Sequence, residues 1–306
     1  MRQSRVTIAV PWYLLLPLGS AIVYALSSVF IKRSLKEGAT MDQSFHLTNW
    51  IVGLIFLPLL FFETGPVDWA AWWKPAIMAV TFFIGTWATF VGIRIGDVSL
   101  VTPLMGTKVV FVALGMALML GQPPSPALWG AAILTAAGIF LMGWRDFRSK
   151  AHGMMFAILI TLFSAAVFGI SDVLVRWWAE DFGAMTFLAT GSAGVGVCSL
   201  VMWILQGCPS FNLPKPARKP AVLGGTMMGL QAIGMGVALA NFDDATGINV
   251  VYASRGLWAI LLIAFLGAAL GNHERKTAGR RFIWRSIGTV LLTAAVVIAV
   301  LDRSSG

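Results

Sequence analysis

Ten apolar runs of about 18–26 residues follow one another along the 306-residue chain: 11–31, 45–62, 75–93, 98–121, 125–144, 153–176, 184–206, 220–241, 246–271 and 282–301. A helix rises 1.5 Å per residue, so each run is long enough to cross a ~30 Å hydrocarbon core. In lipid every backbone N–H and C=O must be satisfied internally, which leaves only helices and closed barrels. The runs lack the two-residue alternation of barrel strands. The expectation is an all-α integral membrane protein with ten transmembrane helices. Only 11% of the residues are charged, against about 25% in soluble domains. The first run has a diverged copy later in the chain, so it reads as a retained helix rather than a cleaved signal.

The net charge of +9 raises nucleic acid as a partner. The basic residues, however, fall in short loops between apolar runs, a pattern of membrane orientation and head-group contact. No nucleic-acid partner is expected. Cys198 lies mid-helix and Cys208 in a loop, so no disulfide is expected either.

The first and sixth runs are copies. Residues 20–32 align without gaps onto 164–176 with five identities, including Ser20/Ser164 and Ser27/Ser171, and both segments end on a base, Lys32 or Arg176. The fourth and ninth runs keep a similar offset, with Gly106-Thr107-Lys108 over Ala253-Ser254-Arg255. Five helices per copy is an odd number, so the second copy enters the membrane upside down. Two inverted five-helix repeats, 1–150 and 151–306, follow. Such repeats mark transporters, with the substrate site near mid-membrane at the repeat interface.

Of the 22 Lys and Arg residues, Arg2, Arg5, Lys74, Arg176 and Arg303 fall on one face. Lys108 and Arg255 are internal, and the other fifteen fall on the opposite face. The positive-inside rule puts the richer face in the cytoplasm and both termini outside.

The segment Gly92-Ile93-Arg94-Ile95-Gly96-Asp97-Val98-Ser99-Leu100-Val101-Thr102-Pro103 and the stretches Leu120–Gln122 and Leu128–Ile139 resemble the drug/metabolite transporter superfamily in its ten-helix EamA-like branch. The resemblance covers nearly the whole chain. It implies a secondary carrier or exporter of small metabolites or drugs, with cytoplasmic termini. Sugar-phosphate and nucleotide-sugar carriers of that superfamily use basic residues in their fourth and ninth helices, which favours an anionic cargo. The loops that often read Gly-Glu there read Gly121-Gln122 and Gly271-Asn272 here.

Lys108 is the only charge between Val98 and Gly121, and Arg255 the only one between Ala245 and Gly271. Each lies roughly 15 Å into its run, about mid-membrane. A charge there costs at least ~2.5–3.5 kcal/mol on insertion scales, so it faces a cavity or a partner. The expectation is a divided anion site, with a planar guanidinium fork on one side and a compact ammonium on the other. The alternative is that each base pairs with a backbone carbonyl or a buried acid.

Tyr24, Phe168, Trp87 and Tyr252 are expected to wall the site. Pro103 removes a helix donor and bends its run just before Lys108. Asp172 is the one acid well inside a span. It reads either as an ion pair with Arg176, four residues on, or as a proton-coupling carboxylate. Pro103, Asp172 and Arg176 are the coupling and gating candidates.

No Gly-rich phosphate loop ends in Gly-Lys-Ser/Thr, and His273-Glu274 has no second His at metalloprotease spacing. No catalytic residue, metal or cofactor is therefore expected. The reading is an inner- or plasma-membrane carrier working by alternating access. Its cargo is a small anionic or zwitterionic metabolite, and the protein is a monomer or homodimer. Two alternatives stand beside it: an exporter of neutral or amphipathic compounds, and a membrane-embedded lipid-modifying enzyme.

Overall fold

The computed structural model describes residues 11–95, 104–143, 154–266 and 280–304. Among these the chain is helical throughout, with no strand. The α-helices are α1 Leu15–Lys36, α2 Met41–Phe56, α3 Trp73–Ile95, α4 Lys108–Met119, α5 Pro126–Gly143, α6 Met154–Phe182, α7 Ala184–Leu205, α8 Lys215–Asn241, α9 Ala245–Tyr252, α10 Arg255–Leu266 and α11 Arg280–Ser304. Six stretches are long and apolar enough to cross a membrane: Trp12–Lys36, Met41–Phe62, Trp69–Ile95, Met155–Phe182, Ala184–Leu205 and Lys215–Asn241.

Local chemistry sets the helix ends. Thr40 and Gln43 form a reciprocal capping box at the start of α2. At α7 the cap comes from far away. Glu63 Oε2 accepts from the backbone N–H of Met185 (2.9 Å) and Thr186 (3.1 Å), placing a carboxylate at the positive end of the helix dipole. Gly183, just before it, has φ +112°, a conformation that side chains rarely adopt. Asp244 caps α9 by accepting from Gly247 N–H at 3.0 Å.

Two of the ten expected helices are not continuous. The run expected at 98–121 contains a 3-10 turn at Met105–Thr107, and its α-helix begins at Lys108. The run expected at 246–271 stops after Tyr252, turns at Ala253–Ser254, and restarts at Arg255. Each internal cation is therefore the first residue of a 12-residue half-helix. Composition alone hides this, because both runs stay apolar across the break.

Helix packing follows a regular exchange. The helix α1 packs on α8 as α6 packs on α3, and α2 packs on α8 as α7 packs on α3. Likewise α4 packs on α6 and α10 on α1, while α2 pairs with α7 and α5 with α11. The duplicated serines share in this. Ser27 Oγ donates to Gly224 O (2.8 Å) across α1 and α8, and Ser171 Oγ donates to Thr81 Oγ1 (3.1 Å) across α6 and α3. Ser164 Oγ adds a bond to Gly85 O at 2.7 Å. Such small-residue contacts let backbones approach where lipid supplies no hydrophobic drive. A Cβ on Gly224 would lie 2.7 Å from Ile31 Cγ1 and 3.1 Å from Ile31 N, so nothing larger than glycine fits there without a shift.

Candidate functional site

The two helix breaks meet at one narrow cavity. Lys108, Asn249, Tyr252 and Arg255 line it together with Met105, Gly106, Val109 and Ala253. In this conformation it admits roughly one water molecule. The two cations that sequence places in separate halves are thus brought to one space.

They are held differently. Lys108 Nζ lies 2.7 Å from Asp172 Oδ2, and both side chains are about nine-tenths buried. Asn249 Nδ2 donates to the same carboxylate oxygen at 2.8 Å and to Ala245 O at 3.0 Å. A buried ion pair is tolerable only when further hydrogen bonds satisfy it, and Asn249 provides one. Arg255 instead lies over two rings, with its guanidinium carbon 4.5 Å from the centroid of Tyr252 and 5.0 Å from that of Tyr24. The two rings meet edge to face at 6.0 Å. Among the described residues no carboxylate forms an ion pair with Arg255. Tyr252 is fixed by its hydroxyl, which donates to Gln231 Oε1 at 2.7 Å. Phe168 and Tyr252 each stand 5.9 Å from Lys108 Nζ.

Five of the expected site residues therefore assemble here with Asp172: Lys108, Arg255, Tyr24, Tyr252 and Phe168. Trp87 does not join them. It is 39% exposed and lines a second cavity with Phe45, Phe90, Asp42 and Arg94. Pro103 lies outside the described residues. The expected Asp172–Arg176 ion pair is replaced. Asp172 serves Lys108, while Arg176 binds Asp243, in the turn before α9, and Glu180. Helical spacing finds neighbours on the same helix, such as Glu180, whereas Lys108 and Asp243 come from other segments. Asn249 was not singled out from the sequence. Its signal is a lone amide three residues before Tyr252 in an otherwise apolar run.

Among the described residues, two donors beside Arg255 lack partners. Ser254 Oγ and Trp258 Nε1 are buried without a hydrogen bond, a costly state unless something else supplies an acceptor. Among the described residues no three of His, Cys, Asp or Glu come together as metal ligands would.

A multi-pass helical membrane protein with a polar cavity at two interrupted helices is a transporter architecture. Residues 11–144 match the EamA-like transporter family, a family of membrane transporters in the drug/metabolite transporter superfamily. Members of that family are transporters rather than enzymes. No curated protein matches the chain in sequence. A crystal structure described only as that of a protein superposes with a TM-score of 0.75 at 15% identity, over 95% of this chain and 99% of that one. That likeness shows the fold alone.

Proposed function

We propose that this transporter moves a small organic metabolite with an anionic group by alternating access, as a secondary carrier of the plasma or inner membrane. Two inverted five-helix repeats, 1–150 and 151–306, rock about the cavity between their broken helices. The observation that carries the reading is the pair of half-helices that begin at Lys108 and Arg255 and line one space. Half-helix N-termini carry partial positive charge and suit anionic groups. The packing exchange between the halves supports the repeats. The unpartnered Ser254 and Trp258 donors support an oxygen-bearing group beside Arg255.

The cavity must widen to admit such a cargo, and the rocking motion provides the opening. The test is saturable uptake or exchange in proteoliposomes, following a thermal-shift screen of anionic, zwitterionic and cationic metabolites. Stabilisation by anions, with transport lost in both Lys108→Gln and Arg255→Gln, is expected. Stabilisation by cations alone overturns the reading.

A second reading is export of neutral or amphipathic compounds. It is favoured by one specific observation, that Lys108 is already neutralised by Asp172 and flanked by Phe168 and Tyr252. Under it, transport survives Lys108→Gln.

A further inference from the structure

We propose that Asp172 is the site's built-in counter-anion: an incoming anionic group takes Lys108 from it, and the released carboxylate takes up one proton, so that anion and proton travel together. The inference rests on the anion reading above and adds its coupling.

The geometry carries the argument. Lys108 Nζ and Asn249 Nδ2 converge on the one oxygen, Asp172 Oδ2, at 2.7 and 2.8 Å. The cavity around this arrangement is narrow, with room for roughly one water. An empty carrier thus re-orients with its lysine neutralised by its own chain. A substrate carboxylate or phosphate offers Lys108 the same kind of partner and cannot share it without displacing Asp172. A displaced carboxylate that is 6% exposed has lost its cation and cannot regain full hydration. Taking a proton removes that penalty. Asn249 then remains as its hydrogen-bond neighbour.

The surrounding charges do not supply a substitute cation. Across the cavity, Arg255 lies over Tyr24 and Tyr252. One turn along α6, Arg176 is engaged by Asp243 and Glu180. From α3 the hydrogen-bond partner of the adjacent Ser171 is the neutral Thr81.

The charge count closes. Lys108, Arg255 and ionised Asp172 give the empty site one net positive charge. One monoanion and one proton add to zero, so the loaded site bears the same charge. The only covalent change is the O–H bond formed when Asp172 takes a proton from water and broken when it gives the proton back. The proton comes from the aqueous phase to which the cavity is open and leaves on the other side with the anion. The cycle is therefore electroneutral for a monoanion, whereas binding without the proton would make the loaded and empty forms differ by one charge.

The test uses the purified full chain with benzoate and methanesulfonate, monoanions whose charge is fixed between about pH 5.5 and 8. Binding is read by thermal shift, and methanesulfonate binding also by infrared difference spectroscopy. Uptake of one proton makes wild-type affinity rise by up to about tenfold for each pH unit lost. The infrared difference should contain the C=O stretch of a newly protonated carboxylic acid. In Asp172→Asn, anion affinity near pH 8 should exceed that of the wild type and be flat with pH, and the band should be missing. Wild-type binding that is flat with pH, or that gives no acid band, overturns the coupling and leaves the anion site standing. If neither anion binds to the wild type or to Asp172→Asn, the anion site itself fails, and the coupling with it.

Discussion

At Lys108 the chain passes through one 3-10 turn and the cation meets a carboxylate from α6; at Arg255 it turns at Ala253–Ser254 and the cation meets two tyrosine rings. The backbone device is the same in both places, a 12-residue half-helix that starts on a base. The neutralisation differs. An ion pair cancels charge and is expensive to break once buried. A guanidinium over aromatic faces keeps its charge and gains about 0.5–2 kcal/mol. The two breaks thus share a backbone device while their chemistry differs. One break holds a closed pair, and the other presents an open cation.

The comparison is sharpest for transport by the Arg255 variant. Arg255→Gln should reduce transport by roughly 100-fold or more, since a charge-assisted contact worth about 3 kcal/mol is lost, with little effect on thermal stability. Transport rates and melting curves measured on one preparation check this. If Arg255 is a structural cation, stability falls with activity.

Lys108→Gln should instead behave as a stability variant, losing about 3–5 kcal/mol where the buried carboxylate stays charged. Lys108→Gln with Asp172→Asn should recover most of the loss. A double-mutant cycle in denaturant measures the coupling, and additive losses would show the two groups to be independent.

Tyr252→Phe is a smaller perturbation. It keeps the ring under Arg255 and removes the bond to Gln231, at a cost of about 1–3 kcal/mol for the orphaned buried acceptor. Tyr24→Phe keeps its ring as well and should cost less. Unfolding midpoints of the two variants rank them, and an inverted order would move the structural weight to α1.

The smallest effect is expected far from the breaks. Asp42 and Arg94 pair at 3.0 Å with both side chains more than half exposed. Asp42→Asn should change stability by no more than about 0.5 kcal/mol, measured by the same midpoint.

Much of this was legible in the sequence, unevenly. Hydropathy located the membrane-crossing helices because length and apolarity are what the bilayer reads. The similar offset of the two runs put Lys108 and Arg255 at matching places, and the structure sets both on one cavity. The counter-ion was not legible. Asp172 and Lys108 are 64 positions apart, and spacing rules speak only of a residue's own helix. Trp87 was misplaced for a related reason. An α3 that is apolar all round carries no amphipathic stripe to say which way each side chain turns. The first break carries Gly106 and follows the bend expected at Pro103, whereas Ala253–Ser254 holds neither proline nor glycine to announce the second.

The two half-helices have a consequence that does not depend on any side chain. Each starts at the cavity and runs away from it, so each aims the positive end of its peptide dipoles inward. Each end is equivalent to roughly half an elementary charge. The centre is therefore electropositive in its backbone, by about one charge from two directions. Substituting both bases would leave this backbone potential opposed by the Asp172 carboxylate. Substitution of the basic residues thus leaves the main chain's own contribution to the site in place.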